Sequence, residues 1–370
     1  MPSHWGRFLL AVGLGSMGCS PDEGPVNRGP TVTKVGSVVL QENDSLFISR
    51  PSQMGITRGG GIVVGDAFAQ HAIWFDSAGR PTRIFGRKGS GPGEFRMMGE
   101  PVPLGDSLLV IPDDALRRLQ LFHVRSGKVQ REISDMPRVR GMTVQDSVVW
   151  FTTFVSADST DRDASGPPAT LGQLDLTTGG MRLGGALPVA FIMFPALGGT
   201  HSISPLTVTD TGVLVGVSGL DSLILHSATD LTVLRAVRLP AVRRRQVDPD
   251  ITELRKAFDG QRPPAESWKS ASFLVGLHAL ASGEIVVLHM DQDLVGQSIV
   301  SRPFVSLVSA DLTRACVDTP VLLPSDARIA FALGYNRVVL LTQEARGDRV
   351  QATAHVFTVS SAGCTWIELA

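Results

Sequence analysis

The chain has 370 residues, 43% of them hydrophobic and 19% charged, with a formal net charge of −1. That balance supplies apolar mass for a large core and offers no basic footprint, which argues against nucleic acid as a partner. Glycine (39 residues) and proline (23 residues) exceed average usage, so frequent turns are expected.

In chain order, residues 1–19 come first. Arg7 precedes an apolar run from Phe8 to Gly18, too short to cross a bilayer but suited to the core of an export signal. The run stops at Gly18-Cys19-Ser20, which resembles the lipobox of bacterial lipoproteins, with Ser16 where leucine is usual. The resemblance implies lipidation at Cys19, export to the periplasmic or cell-surface side of a bacterial membrane, and attachment by the lipid alone. Residues 20–31 are Pro-, Gly- and charge-rich and read as a disordered tether. The apolar stretch Leu187–Leu197 is short and interrupted by Pro188 and Pro195, so it is not a membrane span.

Beyond the tether one pattern recurs. A small turn leads into a short aliphatic run, as in Gly61–Val64, Asp106–Val110, Asp146–Trp150, Gly212–Val215, Gly283–Val287 and Asn336–Leu340. Such runs bounded by turn residues predict buried strands. Each is followed by an alternating strand and a second tight turn, such as Ala72–Phe75 into Asp76–Gly79 or Leu119–Phe122 into Arg125–Gly127. A polar-edged strand follows the turn, as in Thr82–Phe85, and fits a half-solvated edge. Each unit therefore holds an inner, a buried middle, a third and an edge strand. One such sheet cannot cover both of its faces; about six stacked around an axis can. Residues 32–370 are predicted to form a single all-β domain, a six-bladed β-propeller with one short helical insertion. Gly86–Phe95, with four glycines and Pro92, would carry the chain from the outer edge of one blade back to the axis of the next. It lacks the following helix that a phosphate-cradling glycine loop requires.

Met54–Ile56, Gly61–Asp66, Ile73–Asp76 and the Gly-Pro-Gly-Glu-Phe linker together resemble an NHL-type blade. More broadly the chain resembles bacterial six-bladed propeller lipoproteins. The specific match spans roughly residues 50–135, and later blades match by pattern. The resemblance implies a propeller used mostly as a binding platform, with a minority of relatives acting as metal-dependent lactonases, esterases or lyases. The leading expectation is thus a non-catalytic, monomeric platform for an envelope protein, peptide or glycan, working without a cofactor. The alternative is a hydrolase or lyase holding calcium or zinc in the central tunnel.

Three departures from the repeat are candidate surfaces. Ser156–Pro168 carries Asp158, Asp161 and Asp163 but lacks the glycine of a calcium loop. Gly198–Pro205 carries His201 without an evident partner. Arg243–Lys269 predicts a helix capped by Asp248-Pro249 with Ile251, Leu254 and Phe258 on one stripe. Arg243, Arg244 and Arg245 precede it and Trp268 ends it, so it could pack flat or act as a lid meeting a carboxylated or aromatic ligand. For the metal alternative, Asp66, Asp113, Asp114 and Asp291 follow middle strands, a position that also suits an Asx side chain closing a turn. Cys316 and Cys364 could bridge in an oxidising compartment, or could be held apart on adjacent blades. Val35–Leu40 and Cys364–Leu369 are extra strands at the two ends; paired with each other, they would let the N-terminal strand complete the last blade.

Overall fold

The computed structural model describes residues 29–43, 46–154, 169–187, 204–217, 222–240, 270–295, 298–324, 330–346 and 349–369. The first strand, β1 (Thr31–Val39), joins the ring last. Blade 1 holds β2 (Pro51–Ile56), β3 (Ile62–Asp66), β4 (His71–Phe75) and β5 (Pro81–Phe85). Blade 2 holds β6 (Val102–Leu104), β7 (Leu108–Asp113), β8 (Arg118–His123) and β9 (Val129–Ile133). Blade 3 holds β10 (Val139–Gln145), β11 (Val148–Phe154), β12 (Ala169–Asp175) and β13 (Met181–Ala186). Blade 4 holds β14 (Leu206–Thr209), β15 (Gly212–Val217), β16 (Ser222–His226) and β17 (Val233–Arg238). Blade 5 holds β18 (Ser270–Ala279), β19 (Ile285–Val295), β20 (Ser298–Val308) and β21 (Arg314–Pro320). Blade 6 holds β22 (Ala330–Gly334), β23 (Arg337–Arg346), β24 (Arg349–Ser360) and, at its outer edge, β1. A final strand, β25 (Ile367–Glu368), adds to the edge of blade 5. This is the six-bladed β-propeller expected from the repeat. Among the described residues there is no helix, and the expected helical insertion at 243–269 lies outside them.

Alternation along each strand explains why the blades stack. Ile62 and Val64 of β3 pack against blade 6, whereas Val63 between them packs against blade 2. Leu109 and Ile111 of β7 face blade 1, and Val110 faces blade 3. The same rule yields six apolar clusters, each shared by two neighbouring blades around the ring. A middle strand is thus apolar on both faces, and its burial depends on two neighbours. Each fully buried Val, Ile or Leu contributes about 1.5–3 kcal/mol relative to exposure, so no blade is stable alone.

The linker after β5 is a compact, internally bonded unit. Phe95 is fully buried and packs on Phe122, whose ring also meets Phe85 edge-on at 5.7 Å. Gly86 sits at φ 87°, where a Cβ would lie 2.4 Å from the Phe95 ring. Only glycine combines that conformation with that contact. Glu94 is the hub: its carboxylate accepts hydrogen bonds from the amides of Ser90 (2.9 Å) and Gly91 (2.8 Å) and from Arg87 Nε (2.9 Å). Those donors hold it below the usual carboxylate pKa, the Gly91 amide foremost.

Ring closure departs from expectation. The two terminal strands do not pair with each other. β1 does complete the last blade, but by lying antiparallel to β24, with Thr31 opposite Ser360 and Val39 opposite Thr353. His355 ties three strands together: Ser37 Oγ lies 3.0 Å from its Nδ1 and Thr342 Oγ1 lies 2.9 Å from its Nε2. With that edge occupied, the chain leaves blade 6 after Ser360 and β25 pairs with β21 of blade 5 (Arg314 with Glu368, Ala315 with Ile367). This brings Cys364 to Cys316 in a disulfide with Cα atoms 5.8 Å apart. The separation feared for equivalent positions on adjacent blades does not arise, because Cys364 lies on neither edge strand of blade 6. Ordered chain also begins before the expected end of the tether: Thr319 Oγ1 donates to the Pro30 carbonyl (2.6 Å) and Thr31 Oγ1 to that of Ala362 (2.6 Å).

Candidate functional site

The six first strands, β2, β6, β10, β14, β18 and β22, line a central channel of about 740 Å³. All six run the same way, so the channel has an upper mouth where they begin and a lower mouth at their hairpin turns. Small residues let neighbouring strands approach. A Cβ on Gly141 would lie 2.0 Å from the Ser204 carbonyl oxygen, and one on Gly276 would lie 2.4 Å from Leu333. The walls mix apolar and polar surface about equally, with Val102, Val144, Phe331 and Leu333 beside Gln53, Thr143 and Thr209.

At the upper mouth stands Glu100, two residues before β6. It is half-buried in the channel lining, and the loss of solvation pushes its pKa up to about 7. On the adjoining strand β2, the side-chain carbonyl of Gln53 is buried in the wall without a hydrogen-bond donor. At the lower mouth lie Asp210, in the turn after β14, and the Tyr335-Asn336 turn of blade 6. Tyr335 and Asn336 both have positive φ (49° and 59°), the signature of a tight primed hairpin turn. That turn docks on blade 5: the Asn336 amide donates to His278 Nε2 (3.4 Å) and the Ala281 amide donates to Asn336 Oδ1 (3.2 Å). Burial depresses the His278 pKa to about 4, so the imidazole is neutral and accepts through Nε2.

The carboxylates considered for a metal lie elsewhere and do not line the channel. Asp66, fully buried at the end of β3, accepts from the Ser49 amide (2.6 Å) and hydroxyl (2.8 Å), and from the amides of Phe68 and Ala69 (both 2.9 Å). Burial alone would raise its pKa; the donors, led by the Ala69 amide, outweigh burial and lower it. Asp113, at the same position in blade 2, accepts from the amides of Arg96 (3.0 Å), Met97 (3.1 Å) and Leu116 (3.2 Å). Each therefore pins the incoming linker to its own turn. Asp114 accepts from the Val139 amide (2.9 Å), and burial raises its pKa. Asp291, in blade 5, accepts from Ser272 Oγ (2.6 Å). Only Asp113 and Asp114 are neighbours, and no three His, Cys, Asp or Glu side chains among the described residues gather to hold an ion. This donor set does not fit calcium or zinc, which need several free oxygen or nitrogen ligands around one point.

Cys19, His201, Arg243, Arg244, Arg245, Trp268 and the Ser156–Pro168 loop lie outside the described residues. Sequence alone does not single out Glu100, since Arg96–Pro101 reads only as chain without helical periodicity. The available signal was a lone carboxylate between Gly99 and Pro101 at the threshold of a first strand.

No family model and no curated protein matches the sequence. Solved structures do match in shape. A member of the DUF4221 family from Bacteroides vulgatus aligns at a TM-score of 0.62 with 10% identity, covering 90% of this chain and 99% of that one. A protein from Bacteroides fragilis, named as a candidate exported protein, aligns at 0.56 with 11% identity, covering 90% and 97%. At such identities the likeness is one of fold, and the chain shares with these proteins the six-bladed propeller.

Proposed function

We propose that this chain is an exported, lipid-anchored propeller of NHL-like kind that binds a ligand in its central channel without transforming it. The observation that carries this reading is the channel itself, a cavity of about 740 Å³ walled by all six blades. That volume suits a small molecule or an extended segment of a larger partner. The carboxylates suited by sequence to metal catalysis are engaged with backbone amides away from it. Export is supported by the apolar leader ending at Cys19 and by a disulfide of the kind that persists in oxidising compartments.

The test is calorimetric titration of the purified protein with a panel of amines, sugars and short peptides. Binding by the wild type that vanishes in Thr143→Trp, which places a bulky ring in the channel wall, is the expected result. A ligand bound equally well by both proteins would place recognition elsewhere and refute the channel reading. Mass spectrometry of membrane-extracted protein checks the anchor: an acylated N-terminal cysteine is expected, absent in Cys19→Ser.

A further inference from the structure

We propose that the channel receives a linear aliphatic cation, whose ammonium group is held at the upper mouth by the Glu100 carboxylate. This rests on the channel reading above and names the class of ligand.

Three observations converge. First, the described lining contains the carboxylates of Glu100 and Asp210 and no lysine or arginine. Its histidine, His278, is neutral and already accepts from the Asn336 amide. Second, Glu100 makes no hydrogen bond or ion pair among the described residues, and burial alone accounts for its raised pKa. Gln53 Oε1, on the neighbouring strand, is a buried acceptor without a donor. An ionised carboxylate and an amide carbonyl only accept, so what both lack is an N–H donor, and a cationic one serves the carboxylate best. Third, the walls between the mouths are about half apolar, with side chains such as Val102, Val144 and Leu333 that suit methylene groups, and half polar, with threonine hydroxyls that suit an amine along the chain.

Dimensions narrow the class. Five residues separate Glu100 from the turn at Gly105, roughly 16 Å at about 3.3 Å per residue. Asp210 occupies the corresponding turn of blade 4, so the two carboxylates mark opposite mouths. A chain bearing amines toward both ends fits along that span with one ammonium at Glu100. A bare divalent ion does not, since calcium takes about 6–8 oxygen ligands and no such group forms among the described residues.

Of the strands packed against β6, β2 carries no titratable residue, β7 carries Asp113, and β10 carries Arg140. Asp113 is engaged with backbone amides, and Arg140 interacts with Asp114. His278 titrates well below neutrality. Binding should therefore strengthen as pH rises from 6 to 8, when Glu100 gives up its proton.

The experiment is calorimetric titration of the full chain with spermidine, with 1,8-octanediol as an uncharged probe of similar length and Nα-acetyl-lysine amide as a peptide-borne ammonium. Spermidine is expected to bind and the diol not to bind. Glu100→Gln should weaken spermidine about tenfold or more, the loss of one charge-assisted contact. Binding of the lysine amide with the same dependence on Glu100 assigns the ammonium to a peptide; its failure to bind assigns it to a free polyamine. The proposal is overturned if Glu100→Gln titrates like the wild type, or if the diol binds as tightly as spermidine. If the diol binds and Thr143→Trp abolishes it, the channel reading survives while the cation assignment falls. If Thr143→Trp leaves all binding intact, both fall. Thermal melts verify that Glu100→Gln is folded.

Discussion

Replacing Cys364 with serine should reveal how strongly the disulfide holds the ring together. Cys364 is the better target because it is only partly buried, whereas Cys316 is fully buried and would leave a hydroxyl in an apolar cluster. The bridge spans a sequence separation of 48, and the intervening residues carry β22, β23 and β24, the bulk of blade 6. Closing a loop of that length removes unfolded-state entropy worth about 4 kcal/mol at 25 °C in the chain-entropy treatment. Besides the bridge, the C-terminal strand is held by two residue pairs with β21, by the Leu369 amide donating to Thr313 (2.7 Å), by Arg314 stacked 5.2 Å from the Trp366 ring centre, and by partly buried Trp366, Ile367 and Leu369 at the edge of the core. The assay is urea unfolding of the wild type and Cys364→Ser, with hydrogen exchange to locate the effect. The variant should lose about 2–4 kcal/mol, and amides of residues 364–369 should exchange far faster while blades 1–3 stay protected. A loss below about 1 kcal/mol would refute the claim that this link restrains the unfolded chain.

The other predictions concern the close approaches and the carboxylates. Gly141→Ala drives a methyl group to 2.0 Å from a backbone oxygen and should cost about 1–3 kcal/mol in thermal or urea unfolding, whereas Gly36→Ala, with open space around it, should stay within about 0.5 kcal/mol. Asp66→Ala strands the amides of Ser49, Phe68 and Ala69 and should cost about 3 kcal/mol or more. Because the folded-state pKa of Asp66 is depressed, its contribution is present above the unfolded value of about 3.9 and is lost as pH falls below it. Asp66→Asn should therefore show a shallower acid decline than the wild type in pH-dependent melts. Glu100 has the opposite sign: with its pKa raised to about 7, the folded protein retains a proton that the unfolded chain releases, so stability falls as pH rises from about 4.5 to 7. Glu100→Gln should remove that slope and melt higher than the wild type at pH 8.

The blade architecture was legible because it follows from strictly local signals. Runs such as Ile62-Val63-Val64 are apolar at every position, and a strand apolar on both faces needs a neighbour on each side. The linker was legible for the same reason, through its glycines, Pro92 and Phe95. Long-range pairing was not. Nothing in Val35–Leu40 or Cys364–Leu369 specifies a partner strand, so β1 on β24 and β25 on β21 emerge only when the ring closes. Glu100 was illegible because a carboxylate on the surface and one facing a channel look alike in sequence; the difference lies in which strand end encloses it. Asp66 and Asp113 were readable as turn-closing residues, and the extra amides that each receives from a linker some 16 or 17 residues earlier came only with the fold.

The position of β1 has a consequence for biogenesis. Strand β1 finds its partner only when Ser360 has been made, after the strands of blades 1 to 5 and most of blade 6. Until then its hydrogen-bonding edge has no mate, and the sixth blade cannot cover the apolar flanks of the first and fifth. A nascent polypeptide of this design stays sticky until the sixth blade is complete and seals in one late event, a topology that slows folding and invites aggregation. Protection by a chaperone would answer that need, and truncations that remove β24 should be degraded rather than accumulate as smaller rings.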